Sequence, residues 1–505
     1  MEHVRCTPRW ILGIAAALLV AGCGDSGDSD SDSSGGAGGT LTAGNGAGAN
    51  GNNGGGGSTA QFGMGGSGGG ETPCENLECQ QVDCEGDVTT TISGTVYEPA
   101  GTTPLYNVVV YVPNKPLDPI TDGATCETCA STLSGDPVVS TLTDTAGHFV
   151  LEDVPAGDNI PLVIQIGKWR REITISSVPE CTDTPLTDVE QTSLPSNQTE
   201  GHIPKIALTT GGADPLECLL RKIGIEDSEF TPEQGTGRVN LFAGSDGSQR
   251  YSNALNNGED FTQAQTFWTQ GVFLNSYDIV LLACEGAQNG GTKPQNARQA
   301  VQDYTYAGGR LFASHWHNIW FEQGPADFQS VAEWDFNQGD PPDPFQTFID
   351  TTFPKGQALS QWLFNVDASE VEGELYINEP RNTVGSIDTD VAQQWIYGEN
   401  PEAIEYFTFN TPVAAAEEDQ CGRVVFSDLH VSSGDVVGED FPEGCVTSGL
   451  SPQEKALLFM LFDLSSCIQP DDDPPCPPNE TECGDADDPP CNGSCVEGCC
   501  QAIPT

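Results

Sequence analysis

The chain has 505 residues, 74 of them acidic and 18 basic, giving a formal charge of -56, and it contains 59 glycines, 35 prolines and 19 cysteines. So anionic a chain disfavours nucleic acid and anionic lipid headgroups as partners, because both require cationic neutralisation of phosphate. The acidic excess runs through the whole sequence and reads as solvated faces; no stretch has the spacing of an EF-hand loop, and the runs at 471–473 and 485–488 suit only weakly bound calcium.

At the start, Arg5 and Arg9 precede an apolar run from Trp10 to Ala21 that is short for a membrane span and ends in small residues. This pattern predicts an export signal over 1–22. Val20-Ala21-Gly22-Cys23 resembles the lipobox of bacterial lipoproteins. The resemblance implies that Cys23 is acylated and that the membrane is a partner through this lipid. Gly24, standing where a retention aspartate would be, implies an outer-membrane address, facing the periplasm or the cell surface. Residues 23–73 are mostly Gly, Ser, Asn and Asp, too poor in apolar surface to offset the entropy of ordering. A flexible tether of that length reaches about 35 to 45 Å.

A Cys-rich lead-in at 74–87 opens the folded part. With Cys6 removed and Cys23 lipidated, an odd number of cysteines remains, and in an exported protein these are read first as disulfides. Cys126-x-x-Cys129 lies in a Thr/Asp/Gly loop rather than at a helix start, so structural disulfide sulfur is favoured over a redox pair or half a zinc site.

Over 88–178 short alternating segments predict an antiparallel β-sandwich, with strands at 91–97, 105–112, 161–166 and 171–175 and a hairpin of 138–143 with 148–151. Gly94-Thr95-Val96, Val108-Val109-Val110, Thr143-Asp144-Thr145-Ala146-Gly147-His148-Phe149 and Val154-Pro155-Ala156-Gly157 resemble the carboxypeptidase regulatory-like domain of prealbumin type. That family implies a stalk, spacer or binding module. Lys115 and Lys168 occupy no strand position that suits an internal isopeptide bond.

After a linker at 179–202 the period changes. Strands at 204–210, 277–283, 310–313 and 424–426 and helices at 295–307 and 451–464 alternate, which predicts a doubly wound α/β domain over 203–467. Asp214-Pro215 reads as a helix cap followed by proline at the first position. Tyr277-Asp278-Ile279-Val280-Leu281-Leu282, Val301-Gln302-Asp303-Tyr304 and Ala307-Gly308-Gly309-Arg310-Leu311-Phe312-Ala313-Ser314-His315 resemble the flavodoxin-like class I glutamine-amidotransferase-like fold, most closely its ThuA-like branch. No cysteine stands at the elbow from Ser314 to Trp316, so glutaminase chemistry is not expected. An insertion at 328–411 is rich in aromatics but short of regular periodicity, and a Pro-, Asp- and Cys-rich tail fills 468–505. In the insertion, Trp334, Phe336, Phe345, Phe348, Trp362, Trp395, Tyr397, Tyr406 and Phe407 suit either a carbohydrate groove or, the favoured reading, a satellite core.

His315 and His317 are two apart at a strand end, as are Asp428 and His430, so extended geometry would aim each pair one way. Ligand sites lie beyond the carboxyl ends of such strands. His315, His317, Asp428 and His430 are therefore candidate ligands for zinc or another divalent transition metal, with Glu285 as a candidate base. Packed, hydrogen-bonded histidines are the favoured alternative. Cys218 and Cys284 are expected to pair, as are Cys421 and Cys445, a nucleophilic Cys284 being the other reading. The expected function is a structural or binding lipoprotein that meets carbohydrate or a surface protein; the alternative is a metal-dependent hydrolase or carbohydrate-active enzyme.

Overall fold

Alternate apolar side chains over 91–178 draw two sheets together. A computed structural model describes residues 74–476 except 87, 130–132 and 432–433, together with the backbone of 481–482, 494–496 and 499–501. Cys23, the signal, the tether and the acidic run at 485–488 lie outside the described residues. The strands are β1 (Thr91–Thr95), β2 (Val109–Pro113), β3 (Pro137–Leu142), β4 (His148–Leu151), β5 (Gly157–Ile166), β6 (Trp169–Val178) and β7 (Asp183–Pro185). They form sheets ordered β3-β2-β5-β6 and β4-β1-β7, and Ile92, Val110, Val112, Phe149, Leu162 and Ile164 share one core. The expected hairpin of 138–143 with 148–151 is corrected: the turn exists, with Asp144 Oδ1 accepting from the amides of Ala146 and His148, but it carries the chain from one sheet to the other.

The chain then runs through β8 (Ile206–Thr209), α1 (Leu216–Lys222), β9 (Val239–Ala243), β10 (Thr262–Gln263), β11 (Ile279–Leu282), α2 (Gln295–Tyr306) and β12 (Arg310–Ser314). Beyond these come β13 (Ala332–Trp334), β14 (Phe345–Ile349), α3 (Pro354–Asn365), β15 (Glu374–Ile377), β16 (Val384–Ile387), β17 (Gln393–Glu399), β18 (Glu402–Thr411), β19 (Gly422–Ser427) and α4 (Pro452–Ser465). One ten-stranded sheet has the order β10-β9-β8-β11-β12-β19-β18-β17-β14-β15. Its first six strands are parallel and the rest antiparallel. The described protein is thus mostly β-sheet, in several sheets with few helices. The region 328–411, read as lacking regular periodicity, supplies the antiparallel half, and its Phe345, Trp362, Trp395, Tyr406 and Phe407 are buried in the core rather than floor a groove.

The parallel strands are covered on both faces, which is why they read as continuous apolar runs. Ile279 and Leu281 of β11 join a core shared with the sandwich, α1 and α4, whereas Val280 and Leu282 join a second core with Ala297, Val301 and Tyr304 of α2. Helix α4 reads as amphipathic but is buried all round, because the sandwich closes over its outer side: Phe459 stacks on Tyr106 at 5.8 Å and Phe462 meets Trp169 at 5.7 Å. Ser451 caps it, accepting from the Glu454 amide, while Glu454 returns to the Ser451 amide.

The cysteines cross-link distant segments. Bonds join Cys74–Cys79, Cys84–Cys181, Cys126–Cys421, Cys129–Cys467 and Cys218–Cys445, and Cys284 is a free, buried thiol. Cys126 and Cys129 each reach the base of the large sheet, since residues three apart in an extended loop stand about 10 Å apart, beyond disulfide reach. The expected Cys421–Cys445 bond is corrected, because β19 carries the chain about 20 Å from one sheet edge to the other between them. The expected Cys218–Cys284 bond is also corrected. The α1 face bearing Cys218 and, one turn on, Lys222 points to the segment holding Cys445, where Lys222 meets Asp435 and Glu454.

At the sheet base Asp278, just before β11, accepts from Lys168 Nζ at 2.7 Å, from the Gly123 amide at 2.8 Å and from the Lys205 amide. Lys168, set aside in the sequence only as an isopeptide donor, also donates to the carbonyls of Thr121 and Gly123. Asp471, read as part of a weak calcium run, instead pairs with buried Arg423 at 2.6 Å. Removing one partner of a buried pair strands the other charge. Asp278→Ala is therefore expected to lower the unfolding free energy by about 3–5 kcal/mol, measured by denaturant titration of the oxidised protein.

Candidate functional site

The parallel strands deliver five loops to one edge: Thr210 to Asp214 after β8, Gly244 to Gly247 after β9, Cys284 and Glu285 after β11, His315 after β12, and Asp428 to His430 after β19. Strand order reverses between β8 and β11, where open α/β sheets leave a crevice. Backbones approach closely here. A Cβ on Gly211 would stand 2.2 Å from the Cys284 carbonyl oxygen, and one on Gly244 would stand 2.0 Å from that of Thr210.

His315 turns where extended geometry was expected. Its φ is +41°, a left-handed conformation that is strained for a residue with a Cβ, and residues 315–318 form a 3-10 turn. The turn places His315 Nδ1 3.5 Å from Cys284 Sγ and its ring centroid 5.2 Å from that of His430. One ligand atom from each of Cys284, His315 and His430 lies within 4.8 Å of the others. Relative exposures are 0%, 4% and 1%. Neither ring nitrogen of His430 has a hydrogen-bond partner. Burial, then the neighbouring His430 and the charge of Arg381, pushes His315 down to about 2; burial, then Arg381, pushes His430 down to about 3. Burial pushes the Cys284 thiol up to about 12. Neutral imidazoles and a protonated thiol therefore fill the edge.

The four-residue ligand set is corrected. The turn rotates His317 away from His315; its Nε2 donates to the Ala283 carbonyl at 2.9 Å and its Nδ1 accepts from Trp320 Nε1 at 2.8 Å, which occupies both nitrogens. Asp428 accepts from the Thr383 amide at 2.9 Å and from Thr383 Oγ1 at 2.8 Å, so the aromatic-rich segment holds it. Burial raises Asp428 to about 7, and Glu405, whose carboxyl oxygens lack hydrogen-bond partners, is raised well above its ordinary range for the same reason. Asp214, read as a helix cap, makes no cap: α1 begins after Pro215 with no side-chain bond, and the carboxyl accepts from Ser314 Oγ at 2.6 Å and the Val431 amide at 2.9 Å. It ties three strand ends together. Only long-range pairing reveals this role, because Asp-Pro before a helix carries a strong local signal.

Glu285 stands apart from the imidazole cluster. It pairs with Lys293 and accepts from the Ser245 amide at 2.9 Å and from Asn289 Nδ2 at 3.2 Å. Burial pushes its carboxyl up, but His317, Lys293 and the hydrogen bonds outweigh that and hold it below the ordinary range, a poor setting for a general base. Glu285 lines an open cleft of about 450 Å³ with Ser245, Asp246, Gln249, Gln265 and Trp268. The run from Val239 to Ala243, apolar but for Asn240, before Gly244-Ser245-Asp246-Gly247 is the sequence signal that marks this cleft.

No family model and no curated protein matches the chain. Among solved structures, a ThuA-like protein of Bacteroides uniformis is similar at 10% identity and a TM-score of 0.29, over 51% of this chain and 88% of that one. A type II cohesin–X-dockerin complex of Acetivibrio cellulolyticus is similar at 18% identity and a TM-score of 0.14, over 28% of this chain and 75% of that one.

A buried thiol held at about 12 is scarcely ionised at pH 8. Iodoacetamide at that pH is expected to leave the Cys284 peptide unmodified in the native protein and to label it only after unfolding, as read by peptide mass mapping.

Proposed function

We propose that the chain is an exported, lipid-anchored, non-catalytic binding protein of the outer membrane that presents the Glu285 cleft to a polar, carbohydrate-like ligand. The observation carrying this reading is the cleft itself. It lies at the carboxyl edge beside the reversal of strand order, and amides, two hydroxyls and two carboxyl groups line it around one indole. Such a surface offers hydrogen bonds to sugar hydroxyls and little driving force for an apolar ligand. Disulfides linking segments as distant as Cys129 and Cys467 suit the oxidising side of a membrane, in keeping with the Val20-Ala21-Gly22-Cys23 lipobox.

The finer family assignment belongs to the same reading. With the two-residue β10 set aside, the parallel strands run 2-1-3-4-5 in order of appearance, which supports a flavodoxin-like, ThuA-like core, and the left-handed His315 stands at the elbow. Two sheets with their shared core support the regulatory-like sandwich. The rival hydrolase would need a substrate to reach His315 and His430, and their burial weighs against it.

Gln265 and Asp246 are exposed in the cleft and bear no part of the core. Calorimetry of the full detergent-solubilised chain against a panel of neutral oligosaccharides is expected to find a binder, weakened about tenfold or more by the double variant Gln265→Ala/Asp246→Ala. No binder in the panel, or equal affinity in the variant, would overturn the reading.

A further inference from the structure

We propose that Cys284, His315 and His430 together hold one transition-metal ion of the zinc or copper type. The three donors come from three different strand ends, after β11, β12 and β19, and converge in the core independently of the Glu285 cleft. Their spacing fits a common ion. Zinc binds sulfur at about 2.3 Å and imidazole nitrogen at about 2.0–2.1 Å, so tetrahedral ligands stand about 3.3–3.6 Å apart. The observed Sγ to Nδ1 distance of 3.5 Å falls in that range, and all three donor atoms stay within 4.8 Å of one another.

Two further observations point to a ligand rather than to packing. His430 is 1% exposed with both ring nitrogens unpartnered, a situation native interiors avoid because the lost hydration is not replaced. His317, two residues from the cluster's His315, shows what a merely packed histidine does here: it fills both nitrogens from a carbonyl and an indole. His315 adopts its left-handed backbone without glycine, and the strain brings its ring to Cys284.

The donor set selects the metal. One thiolate and two imidazoles suit zinc and copper, whereas calcium and magnesium demand oxygen. Among the described residues, the other cluster of compatible side chains, Cys218, Asp435 and Cys445, does not compete, because its sulfurs are joined in a disulfide. Binding of a divalent ion releases the Cys284 proton to solvent and leaves the two imidazoles neutral, so no redox partner is required. A fourth position remains for water or another small ligand.

The test uses the full chain, exported so that its disulfides form and purified without chelator from cells supplied with zinc and copper. Elemental analysis is expected to give about one equivalent of one of these metals per chain, falling at least tenfold in Cys284→Ala and in His430→Ala; which metal accompanies the protein distinguishes the two ions. Cobalt loading of the unaltered protein is a second arm that needs no substitution, with a thiolate-to-cobalt charge-transfer band in the near ultraviolet as the expected result. Less than about a tenth of an equivalent after incubation or refolding with either metal would overturn the proposal, since a site of this kind binds tightly. So would an equivalent retained in both folded variants, or a cobalt-loaded protein without that band; if the variants do not fold, the cobalt spectrum decides.

Discussion

Asp278 fixes the sandwich to the large sheet, and the position of everything else follows. This one carboxylate, at the start of β11, gathers an ammonium from the β5–β6 turn, an amide from the loop between β2 and β3 and an amide from the start of β8. Charges buried this deeply are tolerated only when their remaining bonding capacity is satisfied, and here Lys168 finds two carbonyls besides its carboxylate. The same loop then sends Cys126 and Cys129 to Cys421 and Cys467, so covalent and ionic ties meet at one edge. Each disulfide closes a loop of about three hundred residues in the unfolded chain, which is where cross-links remove the most entropy.

With the amino edge of the parallel strands occupied in this way, the chemistry gathers at the carboxyl edge. Two environments stand side by side there. Glu285 and its amide neighbours face an open cleft, whereas Cys284, one residue earlier and so on the opposite side of the chain, faces His315 and His430 in the interior. Asp214 braces the second of these by binding Ser314 and Val431, the residues that precede His315 and follow His430. Burial keeps the imidazoles neutral, the protonation state that a metal ion needs from them.

Much of this was legible in the residues. The runs around Ile279 to Leu282 and Leu311 to Ala313 announce strands covered on both faces, and Gln295 to Tyr306 announces its helix, because burial imprints a local period. His315 and His430 were also found from their places at strand ends. What was not legible depends on where the chain goes next. The alternation expected of His315 and His317 fails at a single left-handed residue, and Cys284 was assigned to Cys218 because strand adjacency says nothing about which face of α1 turns toward which loop. The strands of 328–411 were missed for a related reason. Those such as Glu402 to Thr411 bury residues on both faces, so the two-residue alternation of a half-exposed strand is blurred.

The central claim is that three strand ends bring one sulfur and two nitrogens onto a single ion. X-ray absorption at the edge of the metal that accompanies the purified protein measures that shell directly. The account predicts one sulfur at about 2.3 Å with nitrogens at about 2.0–2.1 Å and the outer-shell scattering of imidazole rings. A first shell of oxygen and nitrogen alone, without sulfur, would contradict it.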